Sequence, residues 1–196
     1  MPIASILNVG QDVRLGLWKM ESSDLVFYHS DEPINERFHS ERRKMEFVCV
    51  RLLLREMFKH DCPEILYKES GMPLLSNEEN ISISHTKDYC AIIVSPTCRV
   101  GIDIEYRSDR VGRITHRFLR NDERADNNIS QLLHWSAKET IYKLYSEDFL
   151  QYLEMKVDSF VVSNQGSMMV RNLKQNTEAN VFYFVNDEYV LTYAFQ

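Results

Sequence analysis

Cysteine is scarce in this chain and poorly spaced for chemistry. Cys49, Cys62, Cys90 and Cys98 form no Cys-x-x-Cys pair and have no zinc-like spacing with histidine. That argues against a structural zinc site, and each thiol reads as a small buried hydrophobe in a reducing compartment. Basic charge is also short: 23 Lys and Arg stand against 29 Asp and Glu, a net of −6. Such a balance argues against non-specific nucleic-acid binding. No apolar run approaches the roughly 20 residues that span a bilayer. Met1-Pro2-Ile3-Ala4-Ser5-Ile6 lacks the basic-then-apolar order of a signal peptide. We therefore expect a cytoplasmic protein with no nucleic-acid or membrane partner. Low-complexity segments and short-period repeats are missing too.

What is present suits a folded domain or two. Of 196 residues 44% are hydrophobic, and ten Tyr and ten Phe supply bulk for a core. Val13 to Trp18 alternates as a strand, and Asp31-Glu32-Pro33 breaks the pattern. Ser40 to Lys59 has helical period. Ser40 is its expected N-cap, Phe47, Leu54 and Phe58 share a face, and Val48 and Leu52 flank it. Ser70-Gly71-Met72-Pro73 is a turn signal. Ile81–Ser84, Tyr89–Val94 and the strand from Val100 to Glu105 suggest an antiparallel meander.

Arg110 to Arg120 reads as a helix with Val111, Ile114 and Phe118 on its apolar side. Arg110, Arg113, Arg117 and Arg120 form a cationic stripe, and Asn121-Asp122-Glu123 breaks the pattern. The next helix runs from Ile129 to about Glu147, with Ser130 as its expected cap. Strands follow over Val157–Val162, Ser167–Val170, Val181–Val185 and Tyr189–Phe195, with turns at Asn164-Gln165-Gly166 and Asn186-Asp187. The order predicts an α+β fold of two similar, pseudo-symmetric halves, residues 1–98 and 99–196. Each half is expected to be a small, mostly antiparallel sheet packed with helices.

The chemistry concentrates between Val100 and Lys143. In Val100-Gly101-Ile102-Asp103-Ile104-Glu105 the side chains of Asp103 and Glu105 share one strand face with Gly101, which leaves room for an approaching group. In Trp135-Ser136-Ala137-Lys138-Glu139-Thr140-Ile141-Tyr142-Lys143, Glu139 and Lys143 lie one helical turn apart. Three converging carboxylates stay ionised together only if cations compensate, and a divalent metal with a phosphate does so. Common surface ion pairs have the same pattern, so chemistry alone leaves the alternatives open.

These two motifs, in this order and spacing, resemble the signature of the 4′-phosphopantetheinyl transferases, in particular the two-halved type that activates peptide and polyketide synthases. Ile83-Ser84-His85-Thr86 is similar to that family's Ser-His-Ser/Thr turn, and Glu46-Phe47 with Arg51 is faintly similar to a helix of its N-terminal half. The resemblance implies a transfer of 4′-phosphopantetheine from coenzyme A to a serine of an apo acyl or peptidyl carrier protein, dependent on Mg²⁺ or Mn²⁺. It implies an active site between the halves, coenzyme A on residues 1–98, and metal site and carrier docking on residues 99–196. By the same resemblance Asp103, Glu105 and Glu139 ligate the metal. Glu139 is also the candidate base, Lys143 binds the phosphate under attack, and Ser84 and His85 contact the coenzyme's phosphates. We expect a monomer.

One position departs from the pattern. The family's turn often reads Gly-Lys-Pro, its lysine binding the coenzyme's 3′-phosphate, where this chain has Gly71-Met72-Pro73. Arg42, Arg43 and Lys44 are candidate replacements. Residues 107–124 hold six Arg against three acidic residues, a candidate docking surface for an acidic carrier helix. A metal-dependent phosphohydrolase and a non-catalytic carrier-binding relative are the alternative readings.

Overall fold

A computed structural model describes residues 4–27, 38 and 40–196; the expected break at Asp31-Glu32-Pro33 lies outside them. The described chain is α+β with antiparallel sheets. One sheet has the order β1-β2-β6-β5, from Ala4–Gly10, Val13–Lys19, Tyr89–Ser95 and Asn80–His85. The other has the order β7-β11-β10-β9-β8, from Val100–Tyr106, Tyr189–Phe195, Thr177–Val185, Gln165–Asn172 and Met155–Val157. A two-stranded ribbon, β3 (Ile65–Tyr67) and β4 (Pro73–Leu75), closes around Gly71. That residue has a φ of +84°, a conformation glycine adopts without strain. Strand β1 carries no clean alternation, because it is an edge strand on which Ile6 and Leu7 are both exposed.

The helices, numbered among the described residues, are α1 (Asp24–Phe27), α2 (Glu41–Phe58), α3 (Thr115–Phe118) and α4 (Asn128–Leu144). Helix α2 begins where expected, but the Ser40 side chain makes no capping hydrogen bond. Its deepest residues are Cys49, Leu53 and Leu54, while the expected Leu52 and Phe58 are only half-buried. Helix α4 is capped by Asn127, not Ser130: the Asn127 side chain accepts the Ser130 N–H at 2.9 Å.

Four further expectations fail for local reasons. The meander stops at β6, because β7 crosses over to pair with β11. The helix over Arg110–Arg120 is broken into a 3₁₀ turn at Val111–Arg113 and the single turn of α3, with Ile114 outside helical geometry (φ −120°, ψ 10°). A continuous arginine stripe therefore does not form. The run Val157–Val162 leaves the sheet after Val157, and Val161 is 88% exposed. Gln165 and Gly166 are not a turn but pair with Phe184 and Tyr183; the chain reverses instead at residues 173–176, where Asn176 takes a φ of +54°. The hairpin at Asn186-Asp187 forms as expected.

Each sheet packs a long helix on one face: α2 on β2 and β6, α4 on β7 and β11. A third apolar cluster joins the two. Val13, Leu15, Ala91 and Ile93 from one sheet meet Ile102, Ile104 and Leu191 from the other. The cysteines are free; Cys49 and Cys90 are buried, Cys62 and Cys98 half-buried.

Candidate active site

Strand β7 and helix α4 meet at Gly101. A Cβ there would lie 2.3 Å from the Thr140 carbonyl oxygen and 3.0 Å from the Leu144 amide nitrogen. The room that Gly101 leaves beside the carboxylates is therefore taken by the backbone of α4. This close crossing sets α4 against the strand face that carries Asp103 and Glu105.

Asp103 is the hub. It is 4% exposed and its two oxygens are fully engaged. Oδ1 accepts from Ser84 Oγ on β5 and from Lys143 Nζ on α4, each at 2.9 Å; Oδ2 accepts from Ser136 Oγ at 2.9 Å. Lys143 also donates to the Ile102 carbonyl at 2.9 Å. Ser136, Thr192 and Thr140 form a buried hydroxyl relay behind Asp103, with contacts of 2.8 and 2.7 Å. Thr192 sits directly opposite Asp103 in the β7–β11 ladder.

The other two carboxylates rest on an aromatic shelf. Trp135 Nε1 donates to Glu105 Oε1 at 2.7 Å, and Tyr152 O–H donates to Glu139 Oε1. Trp135 packs between Phe118 and Tyr152, with ring centroids 5.3 and 5.0 Å away. Burial first, and the Asp103 charge second, push the Glu105 carboxyl up to about 7. The same two causes raise Glu139, against the opposing hydrogen bond from Tyr152.

Lys138, within the same motif, points the other way. It is fully buried, donating to the Phe118 carbonyl at 2.7 Å and to Glu123 Oε2 at 2.8 Å. Glu123 in turn accepts the backbone N–H groups of Val157 and Arg120. Arg120 donates onward to the Leu153 carbonyl. Lys138 thus ties down the loop after α3 and the short turn that carries Tyr152.

The opposite wall comes from β5 and α2. Ser82, Ser84 and Thr86 accept the backbone N–H groups of Ile102, Ile104 and Tyr106 at 3.2, 3.3 and 2.9 Å. Side-chain hydroxyls thereby take the place of a backbone ladder between β5 and β7. His85 is held 3.5 Å from Glu46, to which Arg42 and Arg43 also bond. Burial lowers the His85 pKa. Lys44 pairs instead with Glu41 and lines none of the neighbouring cavities.

Three cavities open around this seam. One of about 750 Å³ is lined by Arg42, His85, Glu105, Arg110 and Trp135. A second of about 710 Å³ is lined by Met72, Tyr142, Lys143 and Phe149. A third of about 290 Å³ is lined by Arg43, Glu46, Phe47, Tyr67 and His85. Met72 receives a hydrogen bond from Ser146 at its sulfur, 3.2 Å away.

The donor set fits a hard divalent cation in its chemistry: three carboxylates, with the Asp103 charge raising the proton affinity of both Glu105 and Glu139. Among the described residues no three His, Cys, Asp or Glu side chains form a ready metal cage; Asp103, Glu105 and Glu139 each accept from a protein donor. The structure thus brings Ser84, Asp103 and Lys143 into direct contact and sets Arg42 and Arg43 together on Glu46. Sequence reasoning missed Ser136, Thr140, Tyr152 and Glu46 as members of the site. Ser136 and Thr140 share the helical face of Lys143, which the 3.6-residue period could have shown. For Tyr152 no local signal exists; for Glu46 the cue was the faint family resemblance of Glu46-Phe47 with Arg51.

Among the described residues no helix is long and apolar enough to cross a membrane. The model of a family described as the 4′-phosphopantetheinyl transferase superfamily matches residues 99–194. Among curated proteins no match is found.

Proposed function

We propose that this chain, which belongs through residues 99–194 to the 4′-phosphopantetheinyl transferase superfamily, moves 4′-phosphopantetheine from coenzyme A to a serine of an apo acyl or peptidyl carrier protein. The observation that carries this reading is the Asp103 hub. One buried carboxylate joins a serine from residues 1–98 to a lysine and a serine from residues 99–196, so a single group sets the geometry of both walls. Residues 1–98 hold the coenzyme and residues 99–196 hold the reacting centre.

In the reaction the carrier serine Oγ bonds to the coenzyme's β-phosphorus and the pyrophosphate bridge breaks. Adenosine 3′,5′-bisphosphate leaves with the bridging electron pair. The serine proton passes to Glu139, which burial and the Asp103 charge make more basic than an ordinary carboxylate. Lys143 neutralises the phosphoryl oxygens, and Ser84 and His85 orient the pyrophosphate. Asp103, Glu105 and Glu139 are the residues that would hold Mg²⁺ or Mn²⁺, which supplies further charge neutralisation when bound. Trp135 and Tyr152 aim two of those carboxylates. Arg110, beside Glu105 and Trp135 in the cavity of about 750 Å³, is the arginine of its segment best placed to meet an acidic carrier helix.

Incubation with coenzyme A, Mg²⁺ and a panel of apo carrier proteins, followed by intact-mass measurement, tests the proposal. The expected result is a phosphopantetheine increment on at least one carrier, abolished in Glu139→Ala. The absence of any increment across the panel overturns it.

A further inference from the structure

Glu46 is a carboxylate without a role in the chemistry above. It is 4% exposed, yet it lies in the first turns of α2 beside the cavities. Burying a carboxylate is costly unless cations and donors surround it. Here three do. Arg42 Nε approaches Oε1 at 2.8 Å, Arg43 approaches Oε2 at 3.0 Å, and His85 Nδ1 stands 3.5 Å from Oε1. Two of these groups come from α2 and one from β5, so Glu46 also pins the helix to the strand.

The two arginines are not consumed by this pairing. A guanidinium carries five N–H donors, and Glu46 engages Nε of Arg42 and Nη1 of Arg43. The Arg42 and Arg43 side chains are 65% and 64% exposed. Arg42 lines the 750 Å³ cavity, Arg43 lines the 290 Å³ cavity, and His85 lines both. A buried anion has gathered cations that face outward, toward two spaces on either side of one histidine.

We propose that Glu46 is a positioning residue that holds Arg42, Arg43 and His85 as one cationic cluster, and that this cluster sets the affinity for the phosphates of a nucleotide ligand. The inference rests on the function proposed above and names coenzyme A and adenosine 3′,5′-bisphosphate as ligands. Lys at position 72 is replaced by Met in this chain relative to the common family turn, and a preset arginine pair supplies charge from a different element. Lys87, Glu105 and Arg110 line the same cavity as His85; Lys143 of α4, together with Arg42 and Arg43, opposes protonation of the imidazole, whereas Glu46 favours it.

Two measurements on Glu46→Gln, Glu46→Ala and Glu46→Asp test this. The first is the titration of the His85 imidazole by NMR in the free protein. The second is calorimetric affinity for adenosine 3′,5′-bisphosphate and for coenzyme A, with KM and kcat alongside. Glu46→Gln keeps the side chain's shape, so it reports the charge even where Glu46→Ala fails to fold. The expected results are a lower His85 pKa, nucleotide affinity weakened about tenfold, as loss of charge-assisted bonds predicts, and a KM that rises more than kcat falls. Glu46→Asp recovers part of each. Unchanged affinity in Glu46→Gln overturns the inference while wild-type binding keeps the proposed function standing. Weakened affinity with an unmoved His85 titration also overturns it, since the cluster would not then act as a unit. A wild-type chain that binds no coenzyme A overturns the proposed function and this inference with it.

Discussion

Replacing Gly101 by alanine separates packing from chemistry at the heart of the site. The added Cβ would stand 2.3 Å from the Thr140 carbonyl oxygen, and the next atoms it meets belong to Leu144, at 3.0 and 3.1 Å. None of these is the free end of a flexible side chain. Ordinary contact begins near 3.4 Å, so β7 and α4 must part by about 1 Å at their crossing. Overpacking of this kind costs about 1–3 kcal/mol. In a chain of this size that lowers Tm by roughly 2–12 °C. Helix α4 carries Ser136 and Lys143, each now 2.9 Å from Asp103. A displacement of about 1 Å in a reacting constellation costs on the order of 10²-fold in rate. Gly101→Ala is therefore expected to fold, melt lower and turn over about a hundredfold more slowly. Differential scanning fluorimetry and single-turnover mass spectrometry measure the two effects. A variant that melts lower yet transfers at the wild-type rate would refute the claim that this crossing sets the site.

Other outcomes follow from single contacts. Lys138→Met leaves Glu123 buried without its cation, so chemical denaturation should show a loss of about 3–5 kcal/mol, most of it recovered in Lys138→Met/Glu123→Gln. Tyr152→Phe removes the hydrogen bond that lowers Glu139; the acidic limb of the pH–rate profile should move to higher pH while Tm changes little. The Glu105 carboxyl is raised to about 7 from 4.5, so its unfavourable charge appears in the folded state as pH rises through that window. Metal-free protein should lose Tm from about pH 5 to pH 8, and Glu105→Gln should flatten the slope. Added Mg²⁺ should raise Tm more at pH 8 than at pH 5, because protons compete for the same carboxylates.

Much of the site was legible because two short stretches each obey one clear period. Alternation across Val100–Glu105 put Asp103 and Glu105 on one face, and the helical step put Glu139 and Lys143 on another. Their partners were not legible where they depend on distant folding. Tyr152 reaches Glu139 from a turn 13 residues on, and its placement depends on Lys138 anchoring a loop through Glu123. The Arg110–Arg120 segment has helical composition but is broken at Ile114, where tertiary packing of Val111 and Phe118 outweighs propensity. Strand β1 escaped notice because an edge strand can leave apolar residues in water on both faces.

The hydroxyl row of Ser82, Ser84 and Thr86 has a consequence for solubility and assembly. Strand β7 is the rim of its sheet, and a bare rim of N–H groups invites another chain to add a strand. Here the three amides of Ile102, Ile104 and Tyr106 are already bound to hydroxyl oxygens. The four- and five-stranded sheets therefore stay separate, each with its own complete ladder. Each can form from contacts largely its own, and the seam between them is closed by three rotatable hydroxyls rather than by a shared ladder. Mutating all three to alanine should leave the amides along this buried seam without acceptors, and a lowered Tm would be its first sign.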